Sequence, residues 1–240
     1  MTGARSFQVY RPLNIRTNER VPLLVMLHGC GQDAQSFAMS TRMNRVADRE
    51  RFIVLYPEQD RLSNAQGCWN WFDTTAGRAF GEAELIMNAI DQACLLYPID
   101  TERVAVAGLS AGASMAVLLV SRHPERFQAV VMHSGIPPGT AYSTLSAIAA
   151  MHGFREAGSL NATPATMAKS WPALLVIHGD RDNVVAASNG LSAVNAWAEA
   201  AGARKCAARK IQRGKRYPMT ITDFKCGAKT VASLVGIESL

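Results

Sequence analysis

The chain has 240 residues, 48% of them hydrophobic, with a formal net charge of +6; it is long enough for a substantial core in one domain. No apolar run approaches the ~18 residues that a membrane span requires. Seven cations (Arg204, Lys205, Arg209, Lys210, Arg213, Lys215 and Arg216) fall in one short acid-free segment whose only aromatic is Tyr217, which reads as a charge-protected edge strand and leaves a near-neutral remainder with neither a nucleic-acid nor a membrane partner.

The N-terminal stretch MTGARSFQVYRP has no signal-peptide core and enters a strand directly. The chain is therefore expected to be cytoplasmic or a mature form whose leader has been removed. Short runs rich in Val, Ile and Leu, each ending in turn residues, predict buried parallel strands at 22–27, 52–56, 104–107, 129–132 and 174–177. Helical spacing of apolar residues predicts helices at 36–49, 82–97, 111–123 and 189–201. Alternation of the two predicts one α/β domain over 1–240, a mostly parallel sheet with helices on both faces. Two stretches break the rhythm: 58–81 reads as a long surface loop, and 137–170 as an irregular, lid-like insertion. Three successive strands are expected at 207–212, 219–224 and 231–237.

The five cysteines contain no CxxC pair, so zinc and dithiol chemistry are not indicated and no metal is expected. Cys94 lies in a predicted helix and reads as a buried thiol. Cys30, Cys68, Cys206 and Cys226 have the numbers for two disulfides, which would imply an oxidising compartment; their pairing is open.

Three motifs carry chemistry. VAVAGLSAGASM, residues 104–115, is a strand running through GxSxG into a helix. Such a turn strains the serine backbone, lifts its hydroxyl clear of the sheet and aims a helix N-terminus at the site. Ser110 is thus the expected nucleophile. LLVMLHGCGQD, residues 23–33, is a strand followed by the kind of loop that supplies an oxyanion-hole N–H; Cys30 (or Gly31) and Ala111 are the expected donors. LLVIHGDRDNVV, residues 174–185, brings an acid after a later strand, in the order serine then acid. Asp182 is the candidate and Asp180 the alternative, more readily a turn-former.

HGCGQD, YPEQ, CWNWF, VAVAGLSAGASM, HSG and HGDRDNVV occur in the order found in polyhydroxybutyrate-depolymerase-type esterases, which are related to feruloyl and acetylxylan esterases. Along nearly the whole chain, from about residue 7 to 237, the sequence resembles that family. The resemblance implies an α/β-hydrolase fold and a serine esterase that needs no cofactor and acts on a polyester or aryl ester. It implies Ser110 as nucleophile, Asp182 as acid, Cys30 in the oxyanion hole, a Cys30–Cys68 disulfide, and Trp69 and Trp71 beside the substrate groove. His28 and Gln32, in the same loop as Cys30, are further substrate-contact candidates, although His28, like His178, also reads as a shaper of its strand exit. It also implies secretion. The family's catalytic histidine lies in a segment resembling GHAW, expected here after Leu240 and so outside a truncated chain. His28, His123, His133, His152 and His178 are not expected to replace it. Without that histidine the 240 residues are expected to bind substrate and turn it over very slowly.

Overall fold

The computed structural model describes residues 5–16, 18–155 and 171–240. Ten strands form one sheet: β1 (Phe7–Tyr10), β2 (Val21–Leu27), β3 (Ile53–Pro57), β4 (Ile99–Leu109), β5 (Ala129–His133), β6 (Ala173–Gly179), β7 (Arg204–Lys205), β8 (Arg209–Ile211), β9 (Met219–Cys226) and β10 (Lys229–Ile237). Their order is β1-β3-β2-β4-β5-β6-β10-β9-β7, with β8 also paired to β9. The strands from β3 to β10 along this order run parallel, and antiparallel pairs close both ends. The fold is the expected α/β-hydrolase arrangement.

Strand alternation divides the core. Leu23, Val25, Leu27, Ile53 and Leu55 pack with the buried faces of α3 (Arg78–Leu96) and α4 (Ala111–Arg122). Met26, Val54 and Tyr56 point the other way, against Phe37 of α1 (Ala34–Thr41) and Ala47 of α2 (Met43–Glu50). Parallel strands buried on both faces need continuous apolar runs, which is what made them visible in the sequence. α5 (Thr144–Met151) and α6 (Ser188–Ala200) follow β5 and β6.

Four expectations are corrected. The single helix over 36–49 is two, broken at Arg42, which is left-handed with φ 54°. The hydroxyls of Ser40 and Thr41 donate back to the Phe37 carbonyl at 3.2 and 2.8 Å, the competition by which such side chains loosen a helix. The strand over 207–212 is shorter, β8 at Arg209–Ile211, and a separate short strand, β7 at Arg204–Lys205, precedes it on the same edge of β9; after β7 the Cys206 N–H bonds to the Asp223 carbonyl before the chain departs and returns. Residues 58–81 are not a surface loop throughout: Trp69 is fully buried and Asn70 and Trp71 nearly so, and α3 starts at Arg78. Within 137–170, α5 is a helix with a capping box between Ser143 and Ser146; the part over 156–170 lies outside the described residues.

Candidate active site

The three sequence motifs meet at one edge of the sheet, where β2, β4 and β6 end at their C-terminal sides. Open α/β sheets hold their sites there because successive crossovers leave loops facing one another.

Ser110 joins β4 to α4 with φ 54° and ψ −120°. A non-glycine residue in that region is strained, and strain of this kind persists only where the surroundings impose it. Its N–H donates to the His133 carbonyl at 2.9 Å, and its carbonyl accepts from Ser114 N at 3.0 Å. The flanking glycines are demanded by contact. A Cβ on Gly108 would lie 2.2 Å from the Gly112 carbonyl oxygen, and one on Gly112 would lie 2.3 Å from that of Leu27 and 2.4 Å from that of His28. The GxSxG pattern therefore also brings the β2 exit against the start of α4.

The β2 exit carries Cys30. Of the two oxyanion donors open in the sequence, the Gly31 N–H is engaged by the Gln66 carbonyl at 2.9 Å. The N–H groups of Cys30 and Ala111 have no acceptor among the described residues. Cys30 is disulfide-bonded to Cys68, with Cα atoms 4.3 Å apart, as the resemblance implied. Cys94, Cys206 and Cys226 are free thiols.

Asp182 lies past β6. Its Oδ1 accepts from the N–H groups of Val184 at 3.0 Å and Val185 at 2.9 Å. Oδ2 is 3.4 Å from His178 Nε2. Burial works to raise its pKa, but the Val185, Val184 and Ser134 hydrogen bonds together with His178 hold it below the ordinary carboxylate value. Asp180 is engaged elsewhere: Oδ1 accepts the Ser239 N–H at 2.7 Å. The Asp180 and Arg181 N–H groups donate to the carbonyls of Ile237 and Leu240. The end of β10 is thus laced to the loop that carries Asp182.

None of the five histidines hydrogen-bonds to Ser110 Oγ among the described residues. His28 is buried, with Nδ1 on the Gly29 carbonyl and Nε2 receiving the Gln59 N–H. His178 is buried, with Nε2 2.8 Å from the Val185 carbonyl oxygen. His123 pairs with Glu84 at the end of α4. His133 is half-buried; burial, then the charge of His178, lowers its pKa. His152 stacks near Phe154.

Three of the four expected substrate contacts are buried, and the fourth, Gln32, is half-buried. Trp69 has no exposed surface and donates its indole N–H to the His28 carbonyl at 3.0 Å. Trp71 is 6% exposed and packs edge-on against Phe72. Both indoles form the core beneath residues 58–81, because a wide apolar ring gains more from burial than from a wet groove. His28 is buried behind the loop, and Gln32 turns its Oε1 back onto the Gly29 N–H at 2.9 Å. What the sequence did not signal is the hub under them. Glu82 of α3 is buried and accepts from Asn70 N, Asn70 Nδ2 and Gln59 Nε2 at 2.9, 2.7 and 2.8 Å, with Arg5 at 3.3 Å. A buried carboxylate needs such a full set of donors, but its partners are 12 to 77 positions away and have no shared pattern.

Most of the chain is similar to known esterases. The chain is 31% identical over 202 residues to poly(3-hydroxyalkanoate) depolymerase C of Paucimonas lemoignei, covering 78% of this chain and 47% of that protein. It is 30% identical over 211 residues to feruloyl esterase B of Neurospora crassa, covering 80% and 72%. It is 28% identical over 203 residues to acetylxylan esterase A of Talaromyces purpureogenus, covering 79% and 52%. The chain thus spans about half the length of several curated relatives. In fold it is similar to an acetyl xylan esterase from Aspergillus awamori, with a TM-score of 0.78 at 20% identity over 98% of this chain and 87% of that one. Residues 5–213 match the family described as esterase PHB depolymerase, and the chain belongs to that family.

Proposed function

We propose that this protein is a carboxylic ester hydrolase that works through an acyl-enzyme on Ser110. The observation that carries the reading is the strained Ser110 turn at the start of α4, against which the β2 exit packs, with the N–H groups of Cys30 and Ala111 without an acceptor among the described residues. Ser110 Oγ attacks the ester carbonyl carbon. The carbonyl oxygen gains negative charge and is held by the Ala111 N–H at the N-terminus of α4 and the Cys30 N–H of the β2 exit. A histidine oriented by Asp182 takes the serine proton, passes it to the leaving alcohol, and then activates the water that releases the acid. Ser110 and the two backbone donors are the catalytic groups of this chain.

The histidine in this reading is none of the five. Each of His28, His123 and His178 is committed to a protein partner, and His133 and His152 make no bond to Ser110 or Asp182 among the described residues. The Asp180 and Arg181 contacts hold the end of β10 against the loop that carries Asp182, the place where such a base would be oriented. The histidine matters most to the rate: in subtilisin, its loss lowers kcat on the order of 10⁶-fold.

The substrate class is a polymeric acyl ester, first a poly(3-hydroxyalkanoate). Acetyl or feruloyl esters of polysaccharide are the second reading, supported by the named relatives of those activities. No metal or organic cofactor takes part in the steps above. The 1–240 domain acts as one catalytic unit. The Cys30–Cys68 bridge supports an oxidising, extracellular or periplasmic location. The test is hydrolysis of a short-chain aryl ester by the full-length protein: the Ser110→Ala variant abolishes it, and undiminished hydrolysis by that variant rejects the reading.

A further inference from the structure

The geometry points to His28 as a positioning residue that aims the Cys30 N–H, held in turn by Glu82 through Gln59 and Asn70. This rests on the oxyanion role given to Cys30 above. A peptide group is planar and trans, so the Gly29 C=O and the Cys30 N–H are one rigid plate pointing in opposite directions. Whatever fixes the Gly29 oxygen fixes the donor. His28 Nδ1 lies 2.8 Å from that oxygen, and Nε2 accepts the Gln59 N–H at 3.1 Å. The second bond sets the tautomer: Nε2 is the acceptor, so Nδ1 carries the hydrogen and donates to Gly29. Burial lowers the pKa of the ring and favours this neutral form. A donor on the C=O also polarises the plate and strengthens its N–H.

The other holds on the loop lead back to one side chain. Trp69 Nε1 fixes the His28 carbonyl. Cys68 is bonded to Cys30, and its carbonyl accepts Gln59 Nε2 at 2.9 Å. Gln59 and Asn70, which flank this arrangement, both end on Glu82. The carboxylate on α3 therefore braces the loop on both sides of the donor, from a place no substrate reaches.

The experiment compares an oxygen ester with its thionoester on the full-length protein. Sulfur accepts hydrogen bonds poorly, so a well-aimed donor favours the oxygen substrate, and the oxygen-to-sulfur rate ratio reads the aim directly. Removing one oxyanion donor outright costs on the order of 10²–10³-fold in kcat. Misaiming it by His28→Phe is expected to lower kcat about 10- to 100-fold, leave KM nearly unchanged and shrink the ratio. His28→Asn retains an N–H for the Gly29 oxygen and is expected to keep most of the ratio, while Glu82→Gln lowers it. A His28→Phe ratio equal to wild type, with activity falling only with the folded fraction, overturns the proposal. If that variant does not fold, Glu82→Gln decides: a ratio below that of His28→Asn supports the relay, and wild-type ratios in both overturn it. Hydrolysis that survives Ser110→Ala is a different failure, which removes the site reading itself.

Discussion

The carboxylate of Asp180 accepts the backbone N–H of Ser239 at 2.7 Å. Two acids two residues apart thus have different tasks: Asp180 ties down the end of β10, while Asp182 is surrounded by donors that keep it charged. In the proposed enzyme this tie fixes the loop on which Asp182 stands. Asp180→Ala is expected to lower kcat on a short ester about 10-fold while leaving the melting temperature within a few degrees, since surface changes have small effects on stability. Kinetics of the full-length variant check this; an unchanged kcat would leave Asp180 as a turn-former only.

Gly112→Ala places a methyl group against two backbone carbonyls that cannot rotate away. We expect a loss of about 3 kcal/mol or more, comparable to other forced core contacts, and a melting temperature lower by roughly 6–12 °C. Thermal unfolding checks it. Wild-type stability would mean that the β2 exit does not press on α4 as described.

Trp69→Phe keeps the buried ring but removes the N–H that holds the His28 carbonyl. Leaving that buried carbonyl without its partner costs about 1–3 kcal/mol, read by denaturant titration. Trp71→Ala is expected to cost about 3–5 kcal/mol as a large-to-small core change. It should reduce folding and probe labelling together; a selective loss of substrate use would restore Trp71 to the groove.

Reduction of Cys30–Cys68 opens a loop of sequence separation 38, worth about 4 kcal/mol in the chain-entropy account. The Cys30→Ser, Cys68→Ser pair should lose stability up to that size and also kcat, because Cys30 carries the proposed donor. Non-reducing mass spectrometry finding both thiols free in the native protein would contradict the bridge.

The pH dependence has a definite sign. His28 and His133 have folded pKa values below the ordinary one. The unfolded chain therefore binds their protons more readily, and stability is complete above about pH 6.5 and lost as pH falls from there through the lower folded values. Asp182 adds a second decline further down, as pH falls from about 3.9 through its depressed folded pKa. His133→Gln should flatten the upper decline in denaturation midpoints measured against pH; an identical slope would contradict the burial of His133.

Much of this was legible from the chain because it depends on local pattern. Doubly buried strands make apolar runs, and GxSxG is forced by contacts at Gly108 and Gly112. The Asp182 loop follows its strand directly. The helix break at Arg42 was not legible, since Ser40 and Thr41 bonding back to Phe37 has no periodic signature. Nor was the burial of Trp69 and Trp71: an indole pair beside a cysteine reads equally as groove wall or core, and the decision is made by Glu82 and His28, which are distant in sequence. That the Gly31 N–H is engaged was not legible either, because Gln66, which reaches back to it, is distant in sequence.

The central claim is that Ser110 is the nucleophile, and mapping a fluorophosphonate adduct on the full-length protein tests it most directly. The account predicts one adduct, on the peptide containing Ser110, with esterase activity lost in proportion to labelling and no labelling of Ser110→Ala. An adduct on another residue, or activity retained at full Ser110 labelling, would contradict it.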